Sequence, residues 1–194
     1  MIKVVLGSVV AAVVMFILGF VFYALLGSIP VGDVGDSEAA AIQSVLAANI
    51  EPEGARTVMV PSGSGEVQQR MYLEGPISMI HYNPQGQEIG GATTMLGGFI
   101  HFLISALILG GALYSMAGHV REFSERAAIL ALFVLGCSVF MHLGSPIWWH
   151  QGWLFHGYAF FADAVIYVSG GLIIARWFLP SGVRTEDTYG AEAD

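Results

Sequence analysis

The chain has 194 residues, 55% of them hydrophobic and only 11% charged, with a formal net charge of −8. Ordinary soluble domains carry roughly 25% charged residues, and a chain this apolar could not hide its surface in one water-soluble core. The acidic balance argues against nucleic acid as a partner, since phosphate binding needs clustered Lys and Arg, and the single Cys137 excludes an intrachain disulfide.

The apolar residues fall in four blocks, at about 4–27, 95–118, 127–149 and 153–179. At 1.5 Å per residue, roughly 20 residues cross a 30 Å hydrocarbon core. The first block follows Lys3. It outruns a secretion-signal core of about 7–15 residues, so residues 1–28 read as a retained transmembrane helix.

Residues 29–94 are too polar for the bilayer and read as a small α+β extracytoplasmic domain. Ile29 to Asp36 has loop composition. Ser37 to Ile50 predicts a short amphipathic helix, with Asp36 or Ser37 as its cap and Ile42, Val45, Leu46 and Ile50 on one side. Extended stretches are expected at Arg56–Val60, at Arg70–Glu74 and at Ile77–Tyr82, the last two separated by Gly75-Pro76. The simplest arrangement is a helix packed on a small sheet, which would be marginal alone at this size. His81 reads as an ordinary strand residue.

Residues 95–179 form a three-helix region, and the expected fold class is an all-α four-transmembrane-helix bundle with the α+β insert between its first two helices. The third helix, Ala127 to about Leu143, is the shortest. It reaches full span only if Gly144 to Trp149 sits at the interface, where tryptophans are enriched. Residues 180–194 read as a flexible acidic cytoplasmic tail.

Orientation follows from the basic residues. Lys3, Arg121, Arg126, Arg176 and Arg184 share one side of a four-helix topology, while Arg56 and Arg70 lie on the other in a mostly acidic segment. The positive-inside rule then puts both termini in the cytoplasm and residues 29–94 in the periplasm.

Glu53, Gly54, Pro61, Gly75, Pro76, Tyr82, Pro84 and Gly86 follow the first helix. Trp148-Trp149 then precede the fourth helix, and Asp163 lies within it. In this order the chain resembles an uncharacterised family of small bacterial inner-membrane proteins. The resemblance implies one N-terminal helix, a small periplasmic domain and three further helices. It implies no activity. The chain departs from that pattern in its additional histidines and in a Gly-Trp pair at the last turn.

Within this apolar frame a few polar residues stand out. His101, His142, His150 and His156 are expected near one membrane face. Imidazole ligates haem iron, copper and zinc, so these four are the candidate metal ligands. Asp163 lies about ten residues into the fourth helix, where a carboxylate costs about 2.5–3.5 kcal/mol on insertion scales. His156 and Asp163 are seven apart and share a helix face, which Tyr167 and Gly170 continue. The candidate cofactor-binding set is therefore His101, His142, His156, Asp163 and Tyr167. Lipid or quinone contact fits this set better than haem or metal, since neither His-x-x-x-His nor Cys-x-x-Cys-His occurs. The plainer reading makes Asp163 an interhelical hydrogen-bond anchor, with Ser105, Ser138, Tyr23 or the outer histidines as partners.

Small-residue pairs, Gly7–Ala11, Ala106–Gly110 and Gly111–Ser115, and Gly170-Gly171 allow close helix approach, inside the bundle or toward another subunit. No phosphate-binding glycine motif, nucleophile elbow or zinc-protease motif is present. The leading expectation is a non-catalytic accessory subunit of a larger membrane complex, of respiratory or photosynthetic type, with other integral membrane subunits and lipids as partners. A redox- or quinone-linked protein using the His/Asp stripe is the alternative. A small transporter component is weaker, because four helices without an inverted repeat make a poor alternating-access machine.

Overall fold

The computed structural model describes residues 1–180, so the expectation for the C-terminal tail lies outside the described residues. Helix α1 (Ile2–Gly19) continues as a π-helical turn, Phe20–Leu25. Then come α2 (Asp36–Asn49), β1 (Arg56–Val60), α3 (Gly65–Glu74) and β2 (Ser78–Tyr82), followed by α4 (Ala92–Met116). Helix α5 (Phe123–Ser138) passes through a second π-helical turn, Val139–Leu143, into the short α6 (Gly144–Trp148). The long α7 (Trp153–Trp177) ends the described fold. The chain divides into two compact units, Asp33–Gly91 and the remainder.

Four helices are long and apolar enough to cross a membrane: Ile2–Leu25, Ala92–Met116, Phe123–Trp148 and Trp153–Trp177. Each is at least 24 residues, or about 36 Å at the standard rise, and so exceeds a 30 Å core. The third is longer than its sequence suggested. It starts at Phe123 and runs unbroken through Gly144-Ser145-Pro146. Pro146 lies in the first turn of α6, so its missing N–H falls where the hydrogen-bond ladder changes from the π to the α pattern. Its ring would press on the carbonyl four residues back, that of His142. The backbone there is already widened into the π turn, which relieves the clash.

Helix α1 is the centre of this unit, packed against both α4 and α7, and α5 packs on α7. The seam of α1 is Val4, Gly7, Ser8, Ala11, Ala12, Met15 and Gly19, all buried at helical spacing. Small residues set the distance between helices. A Cβ on Gly170 would lie 2.5 Å from the Met15 sulfur, and one on Gly171 would lie 2.5 Å from a Leu130 methyl. Gly7 and Gly110 are packed closely by Phe178 and Ser8. Gly111 has nothing within 4 Å of its would-be Cβ, so Gly111–Ser115 faces away from the bundle.

Arg126, one turn into α5, is 2% exposed. Its guanidinium donates to the carbonyls of Ala117 (3.3 Å), Val120 (2.8 Å) and Pro180 (2.9 Å). It thereby fastens the chain just past the ends of α4 and α7, where helix carbonyls lack intrahelical partners and a cation is favoured. Arg126, one of the basic residues that set the expected orientation, is thus a buried tie and not a free surface charge.

In Asp33–Gly91, β1 and β2 pair antiparallel with Thr57 opposite His81. The Thr57 hydroxyl lies 3.0 Å from His81 Nδ1, so His81 is a strand residue with a cross-strand partner. Three expectations are corrected. Arg70–Glu74 is helix, the last half of α3, because Glu66 to Gln69 add helix-forming residues and Gly75, at φ +69°, ends the helix in a conformation open to a residue without a Cβ. Neither Asp36 nor Ser37 caps α2; its N-cap is Gly35, and the Ser37 hydroxyl donates to Glu38 at 2.8 Å. Finally, α2 is not a core layer on the sheet. It makes no extensive packing with β1, β2 or α3, and Pro61 is the unit's only buried residue.

Candidate functional site

Three chain segments converge on Asp163, midway along α7. The Tyr23 hydroxyl, on the π turn that ends α1, donates to Asp163 Oδ1 at 2.6 Å. His142 Nε2, on the π turn that follows α5, lies 2.8 Å from Asp163 Oδ2. Both carboxyl oxygens thus have a hydrogen-bond partner. Asp163 and His142 side chains are 29% and 17% exposed, so the pair is largely removed from solvent.

Both partners of Asp163 sit on π turns. A π turn holds one extra residue and swings the side chains beyond it to new directions, and such turns concentrate at functional sites. The first is marked by the bond from Leu26 N–H to the Val21 carbonyl, five residues back, at 3.0 Å. Tyr158, on α7, donates to the Phe22 carbonyl in that turn at 2.7 Å. The Phe22 ring packs edge-on against Tyr158 and Phe161, at centroid distances of 6.3 and 6.0 Å. The turn that carries Tyr23 is therefore held against α7 from both sides.

His156 does not reach Asp163. Seven residues along a helix share a face but are separated by roughly 10 Å of rise, too far for a hydrogen bond. His156 Nε2 instead lies 2.6 Å from the side-chain oxygen of Gln151, before α7 begins. Its other nitrogen, Nδ1, is buried with no hydrogen-bond partner.

The remaining candidates lie apart. His101 is exposed on α4 beside the Phe102 ring, 5.4 Å between centroids. His150 is exposed in the turn before α7, at φ +53°. Tyr167 packs, half-buried, against the helix core. The four histidines do not assemble a metal site: among the described residues no three His, Cys, Asp or Glu side chains converge as a ligand set. Shared depth in a topology diagram does not put imidazoles on facing sides of their helices.

Gln151 and Tyr158 were not singled out from the sequence. A polar residue just ahead of an apolar helix is unremarkable, and a tyrosine near a helix end reads as interfacial. Tyr23 and His142 were legible only as members of a pool of possible Asp163 partners.

Compared with models of protein families, with curated proteins and with solved structures, the chain matches none of the three.

Proposed function

We propose that this chain is a multi-pass accessory subunit of a bacterial inner-membrane complex, acting by binding other integral membrane proteins. On this reading both termini are cytoplasmic and residues 29–94 are a periplasmic docking element. Membership in the small inner-membrane family that the sequence resembles belongs to the same proposal.

The observation that carries it is the unit Asp33–Gly91, whose only buried residue is Pro61. A unit of this size without an apolar interior has little to offset the entropy of ordering its backbone. Yet it displays Val45 of α2 at 61% exposure, and Val67 and Leu73 of α3 at 63% and 86%. Apolar surface of this kind marks an interaction site. Its acidic residues, Asp36, Glu38, Glu66 and Glu74 on the same helices, disfavour pairing with another copy or with anionic lipid. A protein surface that is apolar with a basic rim fits best. The lone face of α4 at Gly97, Gly111 and Ser115 offers a second, intramembrane contact.

Gentle detergent extraction followed by native sizing tests this. Recovery in a defined assembly with other membrane proteins is expected, and the assembly should be lost when Val45 and Leu73 are replaced by Asp. Recovery of the wild-type chain only as a lone monomer would overturn it.

A further inference from the structure

We propose that Tyr23, Asp163 and His142 form a proton-binding site that holds one exchangeable proton. The inference rests on the reading that the four long helices lie in a bilayer. It is independent of what docks on the outer unit.

The first ground is charge balance. Among the described residues, the only ion-pair partner of Asp163 is His142. Other basic residues of the same helical unit are engaged elsewhere. Arg126 is bonded to carbonyls at the far end of the bundle, and Lys3 and Arg176 line a hollow with Met1 and Tyr114. Among the described residues no permanent cation pairs with the carboxylate, and a proton can take that role. With one proton shared between His142 and Asp163, the cluster is neutral, whichever of the two carries it. Without it, one uncompensated negative charge stays in an apolar span, at a cost of several kcal/mol.

The second ground is the geometry of the pair. Tyr23 occupies Oδ1 as a donor, and His142 Nε2 faces Oδ2 at 2.8 Å. At that separation one proton bridges carboxyl and imidazole, whichever of the two atoms carries it. One proton moves and no electron does.

Other ionisable groups around the cluster are few. Helix α1 contributes Tyr23, and α7 adds Tyr158, His156 and Tyr167. The π turn after α5 supplies His142, and α4 carries the exposed His101 and, near its other end, Tyr114. Tyr23 remains the fixed donor to Oδ1, which leaves Oδ2 and His142 Nε2 as the atoms between which the proton is held.

The test uses the full chain in phosphatidylcholine nanodiscs, with proton uptake and release read by a pH indicator and Asp163 followed by infrared spectroscopy. Relative to Asp163→Asn, which keeps both hydrogen-bonding positions, the wild type should take up one more proton per chain between about pH 9 and pH 4. Equal uptake in wild type and Asp163→Asn overturns the site. Release of the chain from membranes by alkaline carbonate would instead sink the bilayer reading beneath it.

Discussion

Tyr23 and Asp163 are 140 positions apart and meet at 2.6 Å. The contact joins the end of the first apolar helix to the middle of the last. It places a carboxyl group that would otherwise be an isolated liability into a defined hydrogen bond. Deleting the hydroxyl with Tyr23→Phe should destabilise the fold by about 1 kcal/mol, within the range of interhelical bonds in membranes. Asp163→Leu should cost more, about 2–4 kcal/mol, because it strands both Tyr23 and His142. Thermal unfolding in one detergent would rank the variants. A double-mutant cycle showing no coupling between Tyr23 and Asp163 would contradict the bond.

At the opposite end of the bundle, Arg126 makes its three carbonyl bonds from a buried position. Lysine keeps the charge but not the planar fork. Arg126→Lys should lose about 1–3 kcal/mol and Arg126→Ala more than that, with faster proteolysis in the Ala117–Phe123 connection. A surface arginine would show neither effect.

Gly110 and Gly111 are neighbours with opposite surroundings. A Cβ at Gly110 would overlap Ser8 Oγ, while one at Gly111 meets nothing within 4 Å. Gly110→Ala should cost about 1–3 kcal/mol through overpacking. Gly111→Ala should leave the stability of the isolated chain within about 0.5 kcal/mol. If Gly111→Ala also weakens native assemblies, that face of α4 is in contact with another subunit.

Outside the apolar helices, the Ser37 hydroxyl beside Glu38 holds that carboxyl below the usual carboxylate range. A depressed folded pKa adds stability that is present above the unfolded value and is lost as pH falls through the folded one. Ser37→Ala should therefore raise the Glu38 titration midpoint and move the loss of that contribution to higher pH. Carboxyl-resolved NMR titration would show it. An unchanged midpoint would mean the hydroxyl is not the cause. The group is fully exposed, so overall stability should hardly change.

What the sequence by itself determined is the apolar framework. Four blocks of sufficient length suffice to specify four long helices, because length and transfer energy act within each segment and need no partner. Asp163 was conspicuous for the same reason: a carboxyl in such a block is costly wherever its neighbours lie. The α2 helix and the β1–β2 strands were legible from spacing and turn residues. Arg70–Glu74 was misread because five residues cannot separate a strand from the second half of a helix.

Only the tertiary structure decided what Asp163 does. Its partners come from two other helices, and both reach it from π turns. The second turn has a local cue in Pro146, and the first has none that we can identify. The same structure turned Arg126 from a topological marker into a buried tie, sent His156 to Gln151, and kept the four histidines from forming a ligand set. Hydrogen bonds demand atoms within about 3 Å of one another. Helix periodicity reports which face a residue occupies, but not which face of which neighbour lies opposite.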